Sequence, residues 1–363
     1  MRPTRFLGLP AVVVTTHAAL LEALLDVERF PPHRMYEVSL EPAIGRSFIS
    51  MPDPEPHRVY RKLATPAFRS RAVASYEREG LAVLAHELCD ALEGERELDL
   101  VAGFTARFPY LVISSLLGLQ RDGEDEFHRW ALALLTMRDD PQRAREAAVE
   151  LTAFLAPVVE ARRREPRDDV VSELVQAEVE GRRLTDEEVF SHVRLLFPTG
   201  GETTHGSLGN LLYALLTQDG AWEAVRDDRS LVPRAVDETL RWETPIAVLP
   251  RLAGAADTDF HGVPIPAHSW VLFAFAAANR DPAVYADPDR FDPARDAADV
   301  LTFGRGIKAC PGMHFAKCNM AVALETLLER MPDLELVDAQ AALPRRTVLR
   351  APAALRVRRR GSR

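Results

Sequence analysis

Residues 303–312 read Phe303-Gly304-Arg305-Gly306-Ile307-Lys308-Ala309-Cys310-Pro311-Gly312, and the apolar spacing that follows predicts a helix from about 313 to 330. A cysteine just ahead of a helix feels the positive end of the helix dipole, which favours the thiolate. Gly304 and Gly306 permit positive φ and close backbone approach, so their amides can face the sulfur and tune it. A lone cysteine is more often an inert buried side chain. The glycine-rich loop around Cys310 sets it apart from Cys89 and Cys318.

The longest helical pattern lies upstream, from 185 to about 217. Thr185 and Glu188 form a capping-box start. At about 1.5 Å per residue the helix spans close to 50 Å and crosses the whole molecule. Its middle, Arg194-Leu195-Leu196-Phe197-Pro198-Thr199-Gly200-Gly201-Glu202-Thr203-Thr204, is a poor helix interior. Pro198 cannot donate to the Arg194 carbonyl, at a cost of about 3 kcal/mol, and each glycine costs roughly 1 kcal/mol more. The Thr203 hydroxyl is placed to bond the Thr199 carbonyl, widening the helix into a notch. A defect in the longest helix predicts a functional distortion.

Around these two features the chain is mostly helical. Residues 11–16 read as a strand and 17–28 as a helix, with a long irregular connection over 30–56. Helices are expected over 70–93, 104–118, 124–138, 141–164, 168–179 and 231–243, strands within 245–275, and a meandering loop over 281–299. The expected class is mainly α, with one long central helix and a small β region, as a single domain over 1–363.

Glu238 and Arg241 share a helix face at i and i+3, a spacing common by chance. His57 and Arg61 share a face at i and i+4 of a helix started by Pro54 and Pro56. Taken with Leu249-Pro250-Arg251, Asn279-Arg280-Asp281-Pro282 and Pro288-Asp289-Arg290-Phe291, the order of these elements resembles the cytochrome P-450 superfamily from about Ala11 to the C-terminal region. The decade around Cys310 is similar to that family's F-G-x-G-x-(H/R)-x-C-x-G signature, with Lys308 where His or Arg is usual. Residues 199–204 resemble its (A/G)-G-x-(D/E)-T-T motif, with Thr199 where a smaller residue is usual.

The resemblance implies a haem-thiolate monooxygenase with haem b. Cys310 would be the metal ligand, and Glu202 and Thr203 the catalytic proton-delivery pair. Cofactor contacts would come from His57, Arg61, Thr199, Gly200, Arg251, Phe303, Gly304, Lys308 and Gly312, with weaker propionate anchoring at Lys308 than an arginine would give. Glu238, Arg241 and Arg290 would form a structural cluster. Leu196, Ile246, Ala247 and Val248, with Thr199 and Gly200, would wall a pocket for a lipophilic small molecule. O₂ would be the second substrate. The chain holds no flavin or iron–sulfur module, so electrons would come from a ferredoxin or flavodoxin with its reductase, docking on Arg61, Lys62, Arg69, Arg305, Lys308 and Lys317. A peroxide-driven enzyme and a non-catalytic haem- or ligand-binding protein are the alternatives. The chain starts close to its first strand, so the family's N-terminal helix is not expected.

Composition sets the remaining bounds. The 363 residues carry a net charge of −9, which argues against a nucleic-acid binder. Three cysteines are too few and too irregular for a disulfide framework, as suits a reducing cytoplasm. No apolar run is long enough for a bilayer, and no signal peptide is read. The arginine-rich end (Arg356, Arg358, Arg359, Arg360, Arg363) reads as a solvated, frayed terminus.

Overall fold

In the computed structural model, residues 1–52, 54–65, 78–119 and 124–360 are described. The chain opens with a hairpin, β1 (Arg2–Phe6) and β2 (Leu9–Val14). Its two-residue tip, Leu7 and Gly8, has positive φ at both positions, as a type I′ turn requires. Helix α1 (His17–Leu25) follows, as expected. The connection expected over 30–56 is not wholly irregular. It forms α2 (Pro32–Ser39) and α3 (Glu41–Ile44), each with a proline in its first turn, where the missing N–H is no loss. Helix α4 (Glu55–Ala64) carries His57 and Arg61.

Next come α5 (Arg78–Ala91), β3 (Glu97–Asp99), a π-helical turn (Val101–Thr105), α6 (Phe108–Leu116), α7 (Glu124–Leu135), α8 (Pro141–Arg164) and α9 (Val170–Gln176). The part of the expected 70–93 helix before 78 lies outside the described residues. After the β4–β5 hairpin (Glu178–Val179, Arg182–Arg183), the long helix α10 covers Asp186–Thr217. Its Thr185–Glu188 capping box is fully formed. Helices α11 (Ala221–Asp227) and α12 (Val232–Trp242) lead into the strand region. There β6 (Leu249–Leu252), β7 (Thr258–Phe260), β8 (Val263–Ile265) and β9 (Trp270–Phe273) precede α13 (Phe275–Ala278). Helix α14 (Met313–Arg330) and strands β10 (Leu334–Leu336) and β11 (Arg356–Arg359) finish the chain.

The main sheet has the order β1-β2-β9-β6, with β2 and β9 parallel and the other pairs antiparallel. It packs on α1 through a small core of Val12, Val14, Leu20, Phe30, Phe260 and Phe273. The helices build a second, larger core, with Phe197, Leu208, Leu211 and Leu212 of α10 at its centre. The arginine-rich end is not frayed over its described part. Arg356–Arg359 form β11 between β10 and β3: Val357 is fully buried, Arg356 and Arg358 face out, and Arg359 donates to the Leu92 carbonyl at 3.1 Å.

Candidate active site

The cysteine loop folds as its glycines demand. Gly304 and Gly306 have φ of +67° and +72°, a region closed to most residues with a Cβ. The Cys310 amide donates to the Phe303 carbonyl at 2.8 Å, closing the loop on itself. The amide that reaches the sulfur is that of Gly312, just ahead of α14, and not those of Gly304 or Gly306. The dipole alone does not yield a thiolate here. Burial pushes the Cys310 thiol up, against the opposing pull of the Gly312 amide and the Arg61 guanidinium. Cys310 lies deep in the protein, yet its surface is open, because it faces an internal cavity. A bound cation is what such a thiol needs in order to ionise.

That cavity has a volume of about 940 Å³, at the top of the range of small-molecule sites. Cys310, Phe303, Gly304 and Gly312 line one part, and Leu196, Thr199, Gly200 and Thr203 of α10 another. Ile246 and Val248 line it too. Ala247 does not. Its amide donates to the Thr347 carbonyl and its own carbonyl accepts from Ala276. Thr347, Val348 and Leu349 reach the cavity from the C-terminal segment, where positive φ at Arg346 and Leu349 marks a tight turn. No periodic pattern in the sequence announces them.

Helix α10 does not break. It stays α-helical across Pro198, Gly200 and Gly201. The expected Thr203 bond to the Thr199 carbonyl is present at 2.6 Å. It belongs to a ladder, because Thr199 donates to Leu195 at 2.6 Å and Ser207 to Thr203 at 2.8 Å. All three residues line the cavity. Glu202 does not line it. Its carboxylate turns between α6 and α7, accepting from the Tyr110 hydroxyl at 2.7 Å with His128 Nε2 at 3.5 Å. Burial alone would raise its pKa, but His128, His205 and Tyr110 together hold it below the usual carboxylate value.

Basic groups converge beside the cysteine. His57 is buried, and its pKa is pushed down to about 3 by that burial and by neighbouring Lys308 and Arg61. Arg61 donates to the Ile307 carbonyl at 3.0 Å and to that of Ala309. Lys308 lines the cavity but also donates to the Phe48, Ile49 and Met51 carbonyls, at 3.2 Å each. It ties the loop to the segment before α4. Arg251 is buried at the cavity wall, its guanidinium 5.4 Å from the Tyr36 ring and 5.5 Å from that of Phe273.

The comparisons with known proteins agree with this arrangement. The family model described as cytochrome P450 matches residues 125–332. The chain is 34% identical to a steroid C26-monooxygenase of Mycobacterium tuberculosis, over 91% of this chain and 90% of that protein. The chain is a cytochrome P450. It is also 37% identical to the 6-deoxyerythronolide B hydroxylase of Saccharopolyspora erythraea, over 96% of this chain and 89% of that protein. A solved cytochrome P450 structure from Chondromyces apiculatus superposes with a TM-score of 0.89 at 33% identity, covering 98% of this chain and 92% of that one. This P450 is therefore a haem-thiolate monooxygenase that uses haem b, O₂, a lipophilic substrate and a redox partner.

The residues present fit that cofactor. Haem b brings an iron that needs a thiolate and two carboxylates that need cations. The cavity offers Cys310 as donor and a buried arginine, Arg251, with no carboxylate in ion-pair range among the described residues. His57, Arg61 and Lys308 supply further basic groups beside the same loop.

Of the three residues expected to form a structural cluster, Glu238 and Arg241 are brought together and the third partner differs. Glu238 and Arg241 are completely buried and doubly bonded, at 2.7 and 2.8 Å. The second arginine on Glu238 is Arg295, at 3.0 Å, and not Arg290. Arg290 gives only its carbonyl, to Arg241 and to Arg295. The sequence signal was a second arginine in the same loop, which only the loop's path could rank. Asn279 holds Thr302 and the Leu301 amide, in keeping with a structural part for the 279–282 element.

The expected basic docking face is thinner than its sequence list. Lys308 points inward, Arg61 is committed to the loop carbonyls, and Lys317 pairs with Asp237 at 2.7 Å. Arg69 lies outside the described residues. Lys62 is exposed and Arg305 half-buried. Among the described residues, no helix is long and apolar enough to cross a membrane.

Proposed function

We propose that Cys310 would supply the thiolate that holds the haem iron, that Arg251, His57 and Arg61 would hold its propionates, and that Thr203 and Glu202 supply protons to the reaction. The observation that carries this reading is the cavity itself, which is lined by Cys310 and by the Thr199–Gly200–Thr203 face of α10. When bound, the haem supplies dioxygen activation, and a thiolate ligand favours O–O cleavage. The Gly312 amide bonds the sulfur and tempers its donation, as outer-shell hydrogen bonds do. Thr203 holds its hydroxyl at a fixed place on the cavity wall through its bond to Thr199. Lys308 acts mainly by pinning the loop, through the 48–51 carbonyls.

The substrate is an apolar small molecule that enters the space bounded by Leu196, Ile246 and Val248. That a steroid C26-monooxygenase and a 6-deoxyerythronolide B hydroxylase stand among the similar proteins supports a lipophilic substrate. The reaction is hydroxylation or epoxidation. Electrons come from a separate ferredoxin or flavodoxin, whose acidic surface is steered to the basic groups around Lys62 and Arg305.

A ferrous–CO difference spectrum tests the ligand. Wild type is expected to give the thiolate-ligated band, and Cys310→Ser to lose it entirely. A wild-type band of imidazole-ligated type refutes the assignment. Thr203→Ala should keep the band and form product at least about tenfold more slowly, with peroxide released instead. Product from peroxide alone, and none with reduced ferredoxin or flavodoxin, would exclude the dioxygen route.

A further inference from the structure

The face of α10 opposite the hydroxyl ladder carries a second polar cluster. Glu202 is 6% exposed and lies against two neighbouring helices. From α6, Tyr110 donates to Glu202 Oε2 at 2.7 Å. From α7, His128 brings Nε2 to 3.5 Å from the same oxygen. From α10 itself, His205 lies one turn on, its ring 6.2 Å from that of His128 and its Nδ1 3.1 Å from the Thr105 hydroxyl. Gly201 makes the approach possible, since a Cβ there would sit 2.5 Å from a Tyr110 ring carbon.

The members of this cluster differ in their access to water. Tyr110 and His205 are buried, at 1% and 8% exposure, whereas the His128 side chain is 33% exposed. Burial and the neighbouring Glu202 push the Tyr110 phenol well above its ordinary pKa, so it stays a fixed donor and carries no proton away. Burial holds the His205 pKa down. His128 is the member that reaches both Glu202 and solvent.

We propose that His128 is the positioning and proton-loading residue for Glu202, taking protons from solvent on α7 and passing them to the buried carboxylate while Tyr110 holds it in place. This rests on the reading of Glu202 as proton donor. In the step, an N–H bond of the His128 imidazolium breaks and an O–H bond forms on Glu202. No electrons change hands, and solvent reprotonates His128. The carboxyl then turns from the Tyr110 side toward the Thr203 side.

The test uses the haem-loaded enzyme with its reductant and substrate. His128→Asn is expected to lower product formed per electron consumed by at least about tenfold, part of the 10²–10⁴ range of a direct general acid. It should flatten the pH profile of that ratio and increase the solvent isotope effect. The ferrous–CO band should stay unchanged. Independently of turnover, the infrared carboxyl band of Glu202, assigned by its loss in Glu202→Gln, should persist to higher pH in His128→Asn. His128→Gln keeps an amide donor in place, so it rescues a structural role and leaves a proton-carrying defect. The double variant His128→Asn/Glu202→Gln should be no worse than Glu202→Gln alone. Full coupling in His128→Asn, rescue by His128→Gln, or additive losses in the double variant each overturn the relay. If Glu202→Gln is itself fully coupled, the proton-donor reading fails and the relay with it. A severe Glu202→Gln beside a silent His128→Asn overturns the relay alone.

Discussion

Two buried arginines in this protein live in opposite circumstances. Arg241 has all of its guanidinium donors answered by protein: Glu238 takes two bonds, and the carbonyls of Asn279, Pro288 and Arg290 take the others. Arg251 is buried to 4% exposure, yet among the described residues its guanidinium bonds only the carbonyl of its neighbour Pro250, at 3.3 Å. Two aromatic faces contribute the rest of its surroundings. A charge saturated by the protein is architecture. A buried charge left facing a cavity is half of an interaction whose other half is a ligand. The same contrast separates Glu238, wholly enclosed, from Cys310, which opens to the cavity.

The contrast breaks most visibly at the saturated site. Arg241→Ala leaves Glu238 buried with only Arg295 in ion-pair contact, and should cost about 3–5 kcal/mol of stability. Denaturant unfolding of the variant, with or without haem, would show it. A loss confined to the haem-loaded form would contradict the assignment of the cluster to architecture. Arg251→Ala should do the reverse. Removing a charged hydrogen bond worth about 1.5–3 kcal/mol would speed haem transfer to an acceptor globin roughly tenfold or more. The haem-free protein should be no less stable. Equal haem retention in wild type and variant would place the propionates elsewhere.

The smallest expected effect is at His57, whose pKa falls from 6.5 to about 3 on folding. Between those values the unfolded chain binds a proton that the folded chain does not, so haem-free stability drops as pH falls through that window. His57→Asn should make this acid limb shallower, as read from urea midpoints. An unchanged slope would mean His57 is already protonated in the folded chain. The haem-loaded protein should be less sensitive, because propionates beside Lys308 and Arg61 reverse the local charge.

Motif order made much of this molecule readable in advance. The capping box at Thr185 and Glu188, the helix after Gly312 and the positive φ of Gly304 and Gly306 follow from short-range rules. The misses share another cause. Arg290 and Arg295 are both loop arginines within reach of Glu238, and only the path of 286–295 selects the second. Ala247 shares its neighbours' composition but does not line the cavity with them. Glu202 follows its motif in sequence and points away from the cavity, because Tyr110 and His128 claim it from helices whose distance along the chain hides them.

What the sequence determined by itself was the class: a cysteine loop before a helix, a long helix with proline and glycines at its centre, and basic residues at fixed separations. These are local patterns, set by capping, dipoles and backbone freedom. Tertiary structure decided which side chains are satisfied by the protein and which are left for a ligand. That depends on the carbonyls, carboxylates and rings that distant segments bring together. It is why Lys308 became a strut, Arg295 displaced Arg290, and Arg251 was left facing the cavity.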